Sequence, residues 1–399
     1  MSTQVSPPVE SAAGGQGPIG PLVEPGPELT PDEIARYQRH LGLPDVGVEG
    51  QRRLKNARVL LVGAGGLGSP AMQYLAAAGV GTLGTIDDDD VDLSNLQRQI
   101  IHSTPDIGRP KVTSAADRVR ALNPLVEVVE HHERLTADNV LDLVAGYDLV
   151  LDGTDNFATR YLVSDAAEIL RKPVVWGAIL RFHGQLAVFW AGRGPTYRDL
   201  FPEPPDPASV PSCAEAGVLG VLPGTIGTLM ATEALKLILG RGEPLLGRLL
   251  VHDALAGDFR SMRILPDPER APVTEVRPVE FVCAVGGPTA AETLDVPALK
   301  TLIARRDSGE LALAVVDVRE DWERQLGTVP GAIAAPLGDI QERGIEALPP
   351  EARGRDVVLY CAAGVRSGRA LETLRPAFAG LEVTLRHLAG GYGAWKAVE

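Results

Sequence analysis

Short apolar runs alternate with amphipathic stretches along most of this chain, and the alternation predicts strands and helices in turn. Regular structure is expected to begin near Leu29-Thr30-Pro31-Asp32-Glu33, where Thr30 suits a helix cap, Pro31 the first turn and Glu33 the reciprocal capping position. From Ala57, the run Ala-Arg-Val-Leu-Leu-Val-Gly is short and apolar enough for a buried parallel strand. A glycine-rich turn then leads into a helix over Pro70–Ala78 and a second strand over Val80–Asp87. The rhythm continues with helices over Lys111–Leu122, Ala137–Val144 and Ala158–Leu170, and strands over Val126–Glu130, Tyr147–Asp152 and Pro173–Gly177. This pattern predicts an α/β fold: a Rossmann-like, doubly wound sheet with helices on both faces. Gly184–Trp190 alternates as a more exposed, antiparallel strand does, so the sheet is expected to be mixed. After a Pro-rich loop, Gly227–Leu239 reads as a strong helix that Gly240 stops.

Length divides the chain further, because 399 residues exceed what one hydrophobic core usually organises. Periodicity fades over 266–293, which is expected to be a linker between a domain at 29–265 and a smaller one at 294–399. In the smaller domain, Leu311–Val318 and Asp356–Tyr360 read as parallel strands, and Cys361 follows the second. Residues 1–28, rich in Pro and Gly, read as a disordered tail with neither the basic start nor the apolar core of a signal peptide. No run reaches the roughly 18 apolar residues of a bilayer span, so no membrane is expected. The net charge of −14 argues against nucleic acid as a partner, since that binding rests on clustered cations. The cysteines Cys213, Cys283 and Cys361 lie far apart without a CxxC pair, which points to reduced thiols in a cytoplasmic protein.

Candidate chemistry starts at Gly63-Ala64-Gly65-Gly66-Leu67-Gly68, a GxGxxG turn between a strand and a helix, with Asp87 at the end of the next strand. Glycines let backbone approach a ligand, the helix N-terminus offers unpaired N–H groups to phosphate, and the carboxylate accepts ribose hydroxyls. By itself this turn favours an NAD- or FAD-dependent oxidoreductase. Three further segments change the picture: Ser94-Asn95-Leu96-Gln97-Arg98-Gln99, Gly108-Arg109-Pro110-Lys111 and Asp152-Gly153-Thr154-Asp155-Asn156. Together with the glycine turn they resemble the MoeB/ThiF family, whose members adenylate ubiquitin-like sulfur carriers, over roughly Thr30 to Leu265.

The resemblance implies ATP and Mg²⁺ and assigns roles residue by residue. Gly63, Gly65, Gly66 and Gly68 would form the nucleotide turn and Asp87 would hold the ribose. Ser94, Asn95, Leu96 and Gln97 would border the nucleotide, while Asn95, Arg98 and Lys111 would offset charge on the triphosphate as pyrophosphate leaves. Asp155, beside Asn156, would hold Mg²⁺, which favours one or two carboxylates plus phosphate oxygens. Arg39, in the pattern Arg36-Tyr37-Gln38-Arg39, would reach the γ-phosphate from a partner subunit, which implies a homodimer. Many relatives carry two CxxC pairs around a structural zinc. Here those places read Thr196-Tyr197-Arg198-Asp199 and 266–272, without thiolates, so no zinc is expected.

Cys361-Ala362-Ala363-Gly364-Val365-Arg366-Ser367 lies between a strand and the helix-like Gly368–Leu374, so it aims successive N–H groups at the sulfur, and Arg366 adds a cation. The loop resembles that of rhodaneses, as do Val316-Asp317-Val318-Arg319-Glu320, Val329-Pro330-Gly331-Ala332 and the segment 388–395. A small α/β sulfurtransferase domain is implied, with Cys361 as the persulfide carrier. Cys213 stands where relatives have a cysteine proposed to bond the carrier's C-terminus, whereas Cys283 has no motif around it.

The expected reaction is adenylation of the C-terminal glycine of a small β-grasp sulfur carrier ending in Gly-Gly. Sulfur transfer from Cys361 would follow, giving a thiocarboxylate for molybdopterin or another sulfur-containing product. A cysteine desulfurase or thiosulfate would supply the sulfur. Rival readings fit less: an NAD-dependent oxidoreductase gives no reason for Arg98, Lys111 and Asp155 together, and a non-catalytic carrier-binding scaffold has no use for them. An enzyme activating a small carboxylate has no use for the second domain.

Overall fold

The computed structural model describes residues 19–204, 217–278 and 288–398, which form two compact units, one ending at residue 278 and the other starting at 288. In the first unit the strands are β1 (Arg58–Val62), β2 (Thr82–Ile86), β3 (Glu127–His131), β4 (Leu149–Asp152), β5 (Val174–Leu180), β6 (His183–Phe189), β7 (Arg248–Asp253) and β8 (Asp258–Arg263). They form one sheet in the order β3-β2-β1-β4-β5-β6-β7-β8. From β3 to β5 the pairs are parallel, and from β5 to β8 antiparallel. The chain runs outward from β1 through β2 to β3 and then returns to β4 on the other side. Ligands in such sheets bind beyond the strand ends at this reversal.

Alternation along β1 divides its side chains between two cores. Val59 and Leu61 join Leu54, Met72, Leu75 and Leu237 on one face, while Leu60 and Val62 join Val144, Tyr161 and Trp176 on the other. The helices supplying these layers are α1 (Pro31–Leu41), α2 (Gly47–Asn56), α3 (Gly68–Ala78), α4 (Lys111–Leu122), α5 (Val140–Ala145), α6 (Phe157–Leu170), α7 (Tyr197–Leu200) and α8 (Val221–Leu239). Thr30 and Glu33 form the expected reciprocal cap on α1, with Thr30 Oγ1 accepting from the Glu33 N–H at 3.2 Å and Glu33 accepting from the Thr30 N–H at 2.6 Å.

Several features depart from the sequence reading. The strands β7 and β8 and the helix α2 were not expected, and α8 begins at Val221 rather than Gly227. By length and composition α8 could cross a membrane, yet Leu222, Ile226, Met230, Leu237 and Ile238 are buried in the core, so it is a central packing helix. The expected tail is ordered at its inner end. Val23 is buried, its carbonyl accepts from Arg53 at 2.6 Å, and the Gly26 carbonyl accepts from Arg52 at 2.8 Å. Cations on α2 thus satisfy backbone that would otherwise be solvated. The linker is also shorter than 266–293, because Arg270 and Val273 are tied to the first unit and Glu292 to the second.

The second unit has a parallel sheet in the order β11 (Ile333–Ala334), β10 (Leu313–Asp317), β12 (Asp356–Tyr360), β13 (Leu385–Leu388), β9 (Thr293–Leu294). Helices Val296–Asp307 and Gly391–Lys396 cover one face through Leu299, Ile303 and Trp395. Leu337–Arg343 and Val365–Phe378 cover the other through Ile340, Leu371 and Leu374.

Candidate active sites

Beyond the ends of β1, β2 and β4 lies a cavity of about 530 Å³, within the range of small-ligand sites. The register explains the convergence: Val62 pairs with Ile86 on one side and Asp152 on the other, so Gly63, Asp87 and Gly153 emerge together. Gly63 has a positive φ of 95°. Gly68 packs so tightly behind it that a Cβ there would lie 2.1 Å from the Gly63 carbonyl oxygen. Only glycine lets α3 begin this close to the turn.

Asp87 faces the cavity, with Oδ2 accepting the Ala64 N–H at 2.9 Å and Oδ1 the Asp89 N–H at 3.0 Å. Burial pushes its carboxyl up, against the pull of Lys111 and these N–H groups. Lys111 is 7% exposed; its Nζ lies 2.7 Å from Asp89 and 4.0 Å from Asp87. Arg98 donates to the Ser94 carbonyl at 3.0 Å and borders the same cavity. Asp155 and Asn156 border it too; Asp155 is exposed, and Asn156 caps α6 by accepting the Thr159 N–H at 2.9 Å. Val62, Ile86, Leu135 and Leu162 add an apolar wall. A flat apolar ring, a ribose and an anionic chain held by cations fit this lining, and Asp155 offers a carboxylate for a divalent cation.

Other expected contacts are not in the lining. Gly68 lies behind the turn, and Ser94, Asn95, Leu96 and Gln97 build the short helical turn that presents Arg98 and Gln99. Ser94 and Asn95 are committed to Asp92: Ser94 Oγ donates to its Oδ1 at 2.6 Å, and Asn95 Oδ1 accepts its N–H at 3.1 Å. Of this motif, Arg98 and Gln99 border the cavity, while Ser94 and Asn95 brace the turn that carries them. Arg39 is exposed on the last turn of α1 and does not border the cavity.

In the second unit, Cys361 stands at the end of β12 with 2% exposure. The Gly364 N–H donates to its Sγ at 3.0 Å, and helix Val365–Phe378 starts directly beyond. Gly364 has φ 98°, a left-handed conformation that turns this N–H inward. The Tyr392 and Gly393 N–H groups grip the carbonyls of Cys361 and Ala362 at 2.7 and 2.9 Å. Beneath the loop, Tyr360 donates to Asp317 at 2.6 Å, and Arg319 pairs with Asp317 at 2.7 Å while lying over the Tyr392 ring. Arg366 is not aimed simply at the sulfur: both Nη atoms bond Glu323, each at 2.6 Å. Burial alone would raise the Glu323 carboxyl, but Arg366 and the Glu320 N–H outweigh it and hold the carboxyl low. Cys213 and Cys283 lie outside the described residues.

A family model described as ThiF family matches residues 37–273, and one described as Rhodanese-like domain matches 298–398. The chain belongs to the ThiF family. Among its relatives, the probable adenylyltransferase/sulfurtransferase MoeZ of Mycobacterium tuberculosis is 51% identical over 384 residues, covering 94% of this chain and 96% of MoeZ. A sulfur carrier protein adenylyltransferase of Thermus thermophilus is 54% identical over 256 residues, 63% of this chain and 94% of that protein. The adenylyltransferase and sulfurtransferase MOCS3-2 of Zea mays is 42% identical over 412 residues, 97% of this chain and 84% of the plant protein. In architecture, the chain is similar to the crystal structure of Escherichia coli MccB with ATP, at a TM-score of 0.53 and 20% identity, covering 60% of this chain and 74% of that one. That likeness concerns the fold.

A polar clasp joins segments 196–199 and 266–273. Arg270 donates to Asp199 at 3.0 Å, Glu168 at 3.2 Å and Thr196 Oγ1 at 3.0 Å. Asp199 also accepts the N–H groups of Thr196 and Asp267, at 2.6 and 3.1 Å. The two segments are therefore joined through oxygen and nitrogen.

Sequence reasoning missed three groups around the ThiF cavity. His102 is buried beneath the glycine turn, its Nε2 3.0 Å from the Ala64 carbonyl and its Nδ1 2.9 Å from Ser114 Oγ. The carbonyl can only accept, so Nε2 carries the proton, and burial keeps the ring's pKa low. Arg134 pairs with Asp88 at 3.0 Å, and Arg160 borders the cavity from inside α6. Only the position of Arg160, four residues beyond Asn156 and thus on one helix face with it, offered a signal.

Proposed function

We propose that this chain uses ATP to adenylate the C-terminal glycine of a small β-grasp sulfur carrier, then converts that carboxyl to a thiocarboxylate with sulfur carried on Cys361. The observation that carries this reading is the convergence of Asp87, Arg98, Lys111 and Asp155 on one cavity in a chain that also builds the Cys361 loop. The two activities named for MoeZ and MOCS3-2, which match nearly the whole chain, support it.

In this reading Asp87 accepts ribose hydroxyls, the N–H groups of the 63–68 turn approach phosphate, and Arg98 and Lys111 lie along the triphosphate. A carboxylate oxygen of the terminal glycine attacks the α-phosphorus, and the bond to the β,γ-pyrophosphate breaks. Arg98 and Lys111 offset the charge that grows on the departing oxygen. Mg²⁺ on Asp155 would lower the charge on the phosphate oxygens when bound. The terminal sulfur of a Cys361 persulfide then attacks the acyl carbon and AMP leaves, joining carrier and Cys361 through an acyl disulfide. A thiol, from Cys213 or an external reductant, attacks the Cys361 sulfur, releases the carrier thiocarboxylate and leaves a disulfide that a dithiol reductant resets.

A cysteine desulfurase or thiosulfate supplies the persulfide, and the product feeds molybdopterin or another sulfur-containing molecule. The active form is a homodimer in which Arg39 reaches the γ-phosphate in the site of the second copy, and it works in the reducing cytoplasm, where thiols persist. ATP–pyrophosphate exchange with carriers ending in Gly-Gly, followed by intact mass of the carrier, tests this. Lys111→Ala should lower exchange about 10²–10³-fold, the scale of losing one preorganised charge. Cys361→Ala should retain exchange but give no carrier with oxygen replaced by sulfur. Loss of exchange in Cys361→Ala would refute this division of labour.

A further inference from the structure

The loop that carries Asp155 is held at its preceding peptide. Asp152, at the end of β4 and buried, accepts both the N–H and the hydroxyl of Thr154 on Oδ1, at 3.1 and 2.7 Å. The remaining polar atom of Thr154, its carbonyl oxygen, accepts two bonds from Arg160, from Nε at 3.2 Å and Nη2 at 2.7 Å. That carbonyl belongs to the peptide joining Thr154 to Asp155. On the other side, Asn156 is fixed as the cap of α6. Arg160 itself is 8% exposed, and its guanidinium is oriented by the rings of Phe157 and Trp176, at 5.2 and 5.8 Å from their centroids. Asp155 is exposed and makes no hydrogen bond or ion pair with other described residues. Its direction is therefore set through the backbone.

We propose that Arg160 is a positioning residue for the nucleotide's divalent cation, acting through the Thr154–Asp155 peptide to aim the Asp155 carboxylate at the metal-bound phosphates. This rests on the adenylation reading. A guanidinium suits the task because its planar fork places two N–H groups on one oxygen while its face lies on aromatic rings. Groups behind a metal ligand typically change metal affinity 10–100-fold when removed.

The test is calorimetric binding of ATP to the full chain, once with excess Mg²⁺ and once in EDTA, for wild type, Arg160→Met and Arg160→Lys. In Arg160→Met the gain in ATP affinity that Mg²⁺ brings should shrink about 10–100-fold. Affinity in EDTA, to which the glycine turn, Asp87 and the charge of Arg160 itself on the cavity wall all contribute, is the baseline from which that Mg²⁺ increment is read in each variant. Arg160→Lys, which keeps the charge near Asp152 and one bond to the carbonyl, should fall between; it also serves alone should the methionine variant not fold. An undiminished Mg²⁺ increment in either variant overturns the proposal. So does an equal loss of affinity with and without Mg²⁺, which would mark general damage to the cavity. If wild type binds no ATP under either condition, the adenylation reading fails and the role of Arg160 with it.

Discussion

Replacing Arg270 by Met removes the cation of the polar clasp while leaving Asp199 and Glu168 in place, with side chains only 3% and 6% exposed. Breaking a buried pair by deleting one partner costs about 3–5 kcal/mol, chiefly because a charge is left unpaired. Two features moderate that figure: Arg270 is itself 19% exposed, and Asp199 keeps the N–H groups of Thr196 and Asp267. A loss of about 2–3 kcal/mol is expected. With a urea dependence of about 3 kcal/mol per molar, the first unfolding midpoint should fall by about 1 M. The effect should also depend on pH. In the wild type, burial would raise the Asp199 carboxyl, but the Thr196 and Asp267 N–H groups and Arg270 hold it low. A carboxyl depressed in this way supports the fold above its unfolded value and ceases to do so only as pH falls through the lower folded value. Without Arg270 the orphaned Asp199 carboxyl takes up a proton at higher pH, so acidification from 7 toward roughly 4 relieves the variant but not the wild type. The measured deficit should therefore narrow on acidification. An unchanged midpoint at neutral pH, or a deficit equally large at both ends of that range, would refute the reasoning.

Other predictions concern the two sites. Because burial raises the Asp87 carboxyl, ATP affinity should weaken on acidification before an ordinary aspartate would protonate; calorimetric titration across pH should show this, and Asp87→Asn should bind weakly with little pH dependence. Gly68→Ala places a Cβ 2.1 Å from the Gly63 carbonyl oxygen, so it should lower stability by about 1–3 kcal/mol and weaken ATP binding, read by thermal unfolding with and without nucleotide. Glu323→Gln weakens the double contact to Arg366 and should slow sulfur transfer from Cys361 while leaving ATP–pyrophosphate exchange at the wild-type rate. Persulfide-dependent carrier mass measured beside exchange checks the separation.

What could be read from the sequence was mainly local or strongly periodic. The Thr30–Glu33 cap, the apolar run of β1 and the GxGxxG turn each carry their geometry within a few residues, and the structure has all three. The strand β8 escaped because Asp258–Arg263 is exposed along its length, so no apolar alternation marks it. In the candidate site, Asp87, Arg98, Lys111 and Asp155 border one cavity, as residues of motifs that converge near strand ends. Ser94 and Asn95 lie outside the cavity lining, because proximity in a motif does not set side-chain direction; here both bond Asp92. Arg160 was missed since an arginine within a helix reads as a solvated surface charge until the fold shows its guanidinium under Phe157 and Trp176.

The clasp has a further consequence for an enzyme that works with reactive sulfur. A thiolate-bound metal centre in the adenylating unit would stand open to exchange with persulfides and to oxidation, because the same nucleophilic sulfur that binds metal also attacks sulfane sulfur. None of the chain's three cysteines lies in 196–199 or 266–273. Guanidinium, carboxylate, hydroxyl and peptide groups join those segments instead, and none of them undergoes sulfur exchange. The join between these two segments is therefore made of groups that neither donate nor accept sulfane sulfur.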